Sequence, residues 1–260
     1  MAAILLPETM IKLAKLNGEP EIFFSIQGEG RNLGSPSVFI RLSLCNLYCV
    51  WCDTDYTWNW KGTDFAHVKD SDALYTKYTK EEVIIQMTDE QIIETIESYQ
   101  CANLVFTGGE PLVQQKDLLH LLKTLREKNA GYRMEIETNG TIIPSEEMDA
   151  LLDQYNVSVK LTNSKIRERE RIRPEAIGFF SATPKSNFKF VVDSEIDVDE
   201  VLQIVNEFNI NPRKVYLMPQ GMTVQSLREK QQWVIEKCKK YSFNYTDRLH
   251  IQIYGDKRGV

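Results

Sequence analysis

The 260-residue chain has no apolar run near the roughly 20 residues that a membrane-spanning helix requires, which speaks against a membrane protein. Nor does it carry an excess of positive charge. Its 31 basic residues face 37 acidic ones, and the formal charge of -6 leaves no electrostatic footprint for nucleic acid. The one basic stretch, Lys165 to Arg173, alternates its signs and reads as a solvated helix face. Internal repeats and low-complexity segments are absent, and no secretory h-region is visible. Cysteines are few and odd in number, at five, which disfavours a disulfide framework and predicts reduced thiols in a cytoplasmic setting.

Against this background the placement of those cysteines stands out. Cys45, Cys49 and Cys52 form a C-x3-C-x2-C run within eight residues. Thiolates are soft ligands suited to iron-sulfur clusters and zinc. A structural zinc takes four ligands and would have to recruit Cys101, Cys238, His67, His120 or His250 from far along the chain. Three unrelated buried thiols are a further reading, since free cysteine packs as a small apolar residue, but their crowding between Leu44 and Trp51 argues against coincidence. A four-iron cubane normally takes four thiolates. With three local ligands, one iron is left open to bind and polarise a small molecule.

The composition, 42% hydrophobic and 26% charged, is that of an ordinary globular chain whose length suits one α/β domain spanning 1–260. Strands are predicted at Ser37 to Leu44, Ala102 to Phe106, Arg133 to Glu137, Val157 to Leu161, Phe188 to Val192, Lys214 to Met218 and Leu249 to Tyr254. Helical patterns separate them at Asp89 to Tyr99, Gln115 to Lys128, Val198 to Phe208 and Val224 to Tyr241, with Ser145 capping a short helix that runs through Gln154. This alternation implies a mostly parallel sheet, in a complete or partial barrel or an open doubly wound fold. Residues 59–78 are polar and weakly periodic and read as an irregular insertion.

Ligands of parallel α/β sheets collect at the carboxyl ends of the strands. The cysteine run, Thr107-Gly108-Gly109-Glu110-Pro111, Thr138-Asn139-Gly140, Lys160 and Pro219-Gln220-Gly221 all fall at such ends. Gly108 and Gly109 would let the backbone approach an amino-acid headgroup, to which Glu110 would add an acceptor for the ammonium. S-adenosylmethionine has such a headgroup, and its amino and carboxylate groups could chelate an open iron.

Cys45-x3-Cys49-x2-Cys52 followed by Gly108-Gly109-Glu110-Pro111 resembles the radical S-adenosylmethionine superfamily. More narrowly, Phe24 to Gly30, Arg41, Cys45 to Thr54, Glu137 to Gly140, Val157 to Lys160, Met218 to Gly221 and Gly255 to Val260 are similar to the 7-carboxy-7-deazaguanine synthase family, so the resemblance covers nearly the whole chain. It implies a partial (βα) barrel and a homodimeric lyase of queuosine and 7-deazapurine biosynthesis. Such an enzyme converts 6-carboxy-5,6,7,8-tetrahydropterin to 7-carboxy-7-deazaguanine with loss of ammonia. A reduced 4Fe-4S cluster, fed by a donor such as flavodoxin or ferredoxin, would cleave S-adenosylmethionine to a radical that removes the hydrogen at C6.

By the same resemblance Cys45, Cys49 and Cys52 ligate the cluster, and Thr54 coordinates a magnesium ion that bridges to substrate. Trp51, Asp53, Gly108, Gly109, Glu110, Asn139, Ser158, Lys160 and Gln220 would surround S-adenosylmethionine. Gln27, Gly28, Glu29, Arg41, Thr107, His250 and the terminal carboxylate of Val260 would meet the pterin, Arg41 taking its carboxylate. The fourth-strand motif departs from the common Ser-Pro-Lys pattern, reading Ser158-Val159-Lys160 here. Two rival readings share part of the set. One is a radical S-adenosylmethionine activase that makes a glycyl radical on a partner protein. The other is a non-enzymatic iron-sulfur electron carrier, which calls for four protein thiolates and a closed cluster.

Overall fold

Alternation with a period of two governs the central strands, and it divides the molecule into an apolar layer and a polar interior. A computed structural model describes residues 10–260. The strands are β1 (Met10–Leu16), β2 (Glu19–Pro20), β3 (Ile22–Ile26), β4 (Pro36–Leu42), β5 (Ile84–Thr88), β6 (Asn103–Gly108), β7 (Arg133–Thr138), β8 (Gln154–Val157), β9 (Ser186–Val192), β10 (Val215–Pro219) and β11 (Asn244–Tyr245). They form one sheet in the order β11-β10-β9-β8-β7-β6-β4-β1-β2. Seven strands from β4 to β11 run parallel. Strand β3 pairs antiparallel with β4, and β5 pairs antiparallel with β1. The two ends of the order do not meet, so this is an open, partial barrel.

The helices are α1 (Lys80–Val83), α2 (Asp89–Ser98), α3 (Gln115–Lys128), α4 (Glu146–Leu151), α5 (Glu168–Arg171), α6 (Pro174–Ala182), α7 (Glu195–Glu207), α8 (Val224–Tyr241) and α9 (Leu249–Tyr254). Helix α3 shows why they form where they do. Leu118, Leu121, Leu122 and Leu125 recur at helical spacing and are wholly buried. Each contributes about 1.5–3 kcal/mol by leaving water. They join one core with Phe106, Ile136, Tyr155, Phe188, Phe190 and Leu217 from the strands. Ser145 caps α4, its hydroxyl accepting from the Met148 N–H.

The other face of the same strands carries Thr107, Glu135, Glu137, Gln154, Asn156, Asn187 and Lys189. Register places Glu135 opposite Gln154 and Glu137 opposite Asn156. These groups satisfy one another, as buried polar groups must. Gln154 donates to Glu135 at 3.2 Å and to Asn156 at 2.8 Å, and Asn156 donates to Glu135 at 3.2 Å.

Four expectations are corrected. Leu249 to Tyr254 is helical, not a strand. Its alternating Leu249, Ile251 and Ile253 mimic a strand, but edge pairing ends at Tyr245, the Leu249 N–H is taken by the Gly28 carbonyl, and only Ile251 is buried. Helix α4 stops at Leu151, and Gln154 opens β8, which ends at Val157 rather than Leu161 and leaves Ser158 and Lys160 in the loop beyond. Arg171 in the alternating basic stretch is buried, donating to the Lys160 carbonyl at 3.0 Å and the Thr162 hydroxyl at 2.9 Å.

Residues 59–78 wrap the cysteine loop. His67 donates from Nε2 to the Cys52 carbonyl at 2.8 Å and accepts at Nδ1 from the Lys69 N–H at 3.2 Å, which fixes the proton on Nε2. The Val68 N–H binds the Val50 carbonyl, and Phe65 stacks on Tyr48 with centroids 3.6 Å apart. Buried Asp55 receives Lys69 at 2.7 Å and the Tyr75 hydroxyl at 2.6 Å.

Gly108 sits at φ +131°, and a Cβ there would lie 2.0 Å from the Leu42 carbonyl oxygen. Neither can yield without parting β4 from β6. Gly108→Ala is therefore expected to lower unfolding free energy by at least about 2 kcal/mol in urea titration.

Candidate active site

At the carboxyl edge of the parallel strands lies a cavity of about 250 Å³. Cys45, Cys49, Trp51, Cys52, Asp53 and Thr54 reach it from the loop after β4. Gln27, Gly28 and Glu29 come from the loop after β3, Arg41 from β4 itself, and Thr107, Gly108 and Gly109 from the end of β6. Asn139, Ser158, Lys160 and Gln220 follow β7, β8 and β10, while His250 and Val260 enter from the carboxyl-terminal segment. Glu110 is the exception among the expected residues, for it does not line the cavity. Its buried carboxylate accepts from the Leu112 N–H at 3.0 Å, the Thr138 hydroxyl at 2.9 Å and the Asn139 N–H at 2.6 Å. Burial outweighs these donors and raises its pKa to about 7. Glu110 thus braces the loop after β7 instead of facing a ligand.

The two glycines serve the wall as well as the cavity. A Cβ on Gly109 would lie 2.1 Å from the Leu44 carbonyl and 3.1 Å from Cys45 Cβ. The Glu110 N–H binds that Leu44 carbonyl at 2.8 Å. The strap after β6 is glycine-rich because the backbone leading into the cysteines lies against it.

The three cysteines are free thiols. Burial pushes all three well above the ordinary thiol range, Cys49 to about 12 despite the opposing charge of Lys160. They become thiolates only when a cationic centre replaces their protons, so loading would release protons. Donors already point at the sulfurs: the Leu47 N–H lies 3.4 Å from Cys45 Sγ, and Trp58 Nε1 lies 3.4 Å from Cys52 Sγ. Among the described residues no three His, Cys, Asp or Glu side chains gather closely enough to chelate a single ion. The donor set fits an iron-sulfur cluster, where each thiolate meets a different iron.

Beside the cysteines lies a chain of paired charge, from the buried Arg248 to the exposed Asp53, that sequence reasoning largely missed. Arg248 pairs with Glu29 at 3.1 Å and with Asp53, and donates to the Gly221 carbonyl at 2.7 Å. Lys189 of β9 takes the other oxygen of Glu29. Burial alone would raise the Glu29 pKa, but Lys189 and Arg248 overcome it and hold the carboxyl far below its usual range. Glu137 accepts from Gln27 at 3.2 Å and from the Thr107 hydroxyl at 2.6 Å. Arg41 pairs through Nε with Glu21 at 3.0 Å, leaving its two Nη groups for a ligand. Lys160 donates to the Ser158 hydroxyl at 2.9 Å and lies 5.7 Å from the Trp51 ring centroid. The sequence signal for Glu137, Lys189 and Glu21 was their period-two position in otherwise apolar strands or beside one; Arg248 had none.

A partial barrel whose first parallel loop carries C-x3-C-x2-C at an open cavity defines a class, the radical S-adenosylmethionine enzymes. The family model described as the Radical SAM superfamily matches residues 40–177. A curated 7-carboxy-7-deazaguanine synthase of Pyrobaculum aerophilum is 34% identical over 92% of this chain and 95% of its own. Those of Rhodopirellula baltica and Hyperthermus butylicus are each 32% identical, over 92% and 90% of this chain and 87% and 91% of their own. The crystal structure of QueE from Escherichia coli superposes with a TM-score of 0.64 at 25% identity, covering 93% of this chain and 95% of that one. The chain belongs to the 7-carboxy-7-deazaguanine synthase family of the radical S-adenosylmethionine superfamily.

Two measurements check the site. Trp58→Phe removes an N–H donor from Cys52 Sγ, so a redox titration of the loaded protein is expected to find a more negative cluster potential than wild type. Because the folded-state pKa of Glu29 is depressed, the stabilisation from its charge is complete above the usual carboxylate range and is lost progressively as pH falls from that range toward the depressed value. Glu29→Gln should cost about 3 kcal/mol at neutral pH, with a shallower loss of urea stability between about pH 5 and pH 3 than wild type shows.

Proposed function

We propose that this chain catalyses the radical ring contraction of 6-carboxy-5,6,7,8-tetrahydropterin to 7-carboxy-7-deazaguanine with loss of ammonia. The observation that carries the reading is the meeting, in one cavity, of the three-cysteine loop with Arg41 and the Gln27-Gly28-Glu29 loop. When bound, the 4Fe-4S cluster and S-adenosylmethionine supply the radical that begins the reaction.

In this reading Cys45, Cys49 and Cys52 hold the cluster. Gly108, Gly109, Asn139, Ser158, Lys160 and Gln220, with Trp51 and Asp53 beside them, hold S-adenosylmethionine. The Nη edge of Arg41 takes the pterin carboxylate, to which its planar fork is matched. Glu29, ionised between its two cations, accepts N–H groups of the pyrimidine edge, with Gln27, Gly28 and Thr107 completing that wall. Burial lowers the His250 pKa, so the neutral ring can accept a proton at one nitrogen and donate from the other. Thr54 would offer a hard oxygen to a magnesium ion. Val260 closes the same wall from the segment after α9. The whole chain works as one domain, with 59–78 as an insertion on it, in a cytoplasmic homodimer reduced by a flavodoxin or ferredoxin.

The test is anaerobic. Protein, reductant, S-adenosylmethionine, magnesium and carboxytetrahydropterin are expected to yield 7-carboxy-7-deazaguanine, and Cys49→Ala to abolish it. Deoxyadenosine without that product would sink the substrate assignment while keeping the superfamily chemistry.

A further inference from the structure

Glu21 is 2% exposed, and three partners converge on its carboxylate. Oε1 accepts from Arg41 Nε at 3.0 Å and from the Tyr56 hydroxyl at 3.2 Å. Oε2 accepts from Arg258 Nη2 at 2.7 Å. Arg258 lies over the Tyr56 ring, its Cζ 3.4 Å from the centroid, and also donates to the Lys15 carbonyl at 3.2 Å. One carboxylate is thus shared between the arginine that faces the cavity and an arginine two residues before the chain end. Beyond Arg258, Gly259 turns at φ +72° against Leu16, and Val260 lines the cavity. Burial opposes the charge of Glu21, but Arg41 and Arg258 outweigh it and hold the carboxyl below its usual range.

We propose that Glu21 is a positioning residue that couples the orientation of Arg41 to the docking of the carboxyl-terminal segment, so that the two ends of the carboxypterin site form together. The inference rests on the functional reading above. Were Arg41 held by an independent ion pair, the tail could come and go without affecting the carboxylate site. Because both arginines draw on the same carboxylate, undocking Arg258 leaves Glu21 to Arg41 alone and frees it to follow Arg41 away from the present geometry. Loss of Glu21 unties both. Each arginine meets its own oxygen of Glu21 through one nitrogen, Arg41 by Nε and Arg258 by Nη2, so the carboxylate must lie between the two to serve both.

The full chain with its cluster loaded is compared as wild type, Glu21→Gln, Arg258→Met, Arg258→Lys and the double variant. Binding of 6-carboxypterin and of S-adenosylmethionine is measured for each, and amide exchange is followed in residues 256–260. Glu21→Gln is isosteric and Arg258→Met keeps the apolar stem, so both should fold. The expected result is at least a tenfold weaker Kd for carboxypterin in each single variant, faster exchange in the tail, and S-adenosylmethionine affinity within twofold of wild type. The double variant should be no worse than the weaker single one, since the residues act as a unit, and Arg258→Lys should recover part of the loss. Wild-type binding retained in the single variants, or losses that add in the double variant, would overturn the coupling and leave the functional reading standing. Failure of the wild-type protein to bind carboxypterin would instead overturn that reading, and the coupling with it.

Discussion

The half-buried carboxylate of Glu29 between Lys189 and Arg248 is the constraint on which the site depends. Its three members come from the loop after β3, from the interior face of β9 and from the turn into α9, so the pairing ties the amino-terminal strands, the far side of the half-barrel and the carboxyl-terminal segment to one point. Removing one member of such a group leaves an uncompensated buried charge, a loss on the order of 3–5 kcal/mol. Arg248 extends the chain to Asp53, next to the last cysteine. The geometry of the cysteine loop is thereby linked to the loop that would meet the substrate.

The polar interior explains why the barrel is open and why its core lies outside it. The helices cover the face that carries Phe106, Ile136, Tyr155 and Phe188, and this layer supplies the apolar burial that offsets chain entropy. The inward face is then free to carry Glu135, Glu137, Asn156 and Lys189, which only need to satisfy one another and a polar ligand. A closed barrel packed with aliphatic layers would leave no room for a pterin and a cofactor side by side.

Much of this is legible in the amino-acid sequence. Period-two runs bounded by turn residues located β4, β6, β7, β9 and β10, and leucine spacing located α3 from end to end. Convergence of odd loops at strand ends located the cavity. What escaped did so for physical reasons. The antiparallel strands β1, β3 and β5 lack the strand-helix alternation that marks parallel units, and their pairing with distant partners is set by register. Leu249 to Tyr254 alternates like a strand, yet the edge it would extend ends at Tyr245. Glu110 reads as a ligand because Gly108 and Gly109 beside it line the cavity, but three donors hold it in the wall. Lys189, Arg248, Glu21 and Arg258 resemble surface charges in sequence, and only tertiary pairing reveals Glu21 and Arg248 as buried and Lys189 and Arg258 as half-buried. The segment 59–78, irregular by composition, turns out to clamp the cysteine loop through His67 and Val68.

A three-thiolate cluster in this loop would keep one iron open toward a cavity shared by cofactor and substrate. The direct measurement is the electron paramagnetic resonance spectrum of the anaerobically reduced, cluster-loaded protein, titrated with S-adenosylmethionine. The account predicts a saturable change in the signal as amino and carboxylate groups bind the open iron, with Cys101 and Cys238 dispensable to it. A spectrum that stays unchanged at saturating S-adenosylmethionine, as a cluster closed by a fourth thiolate would give, would contradict it.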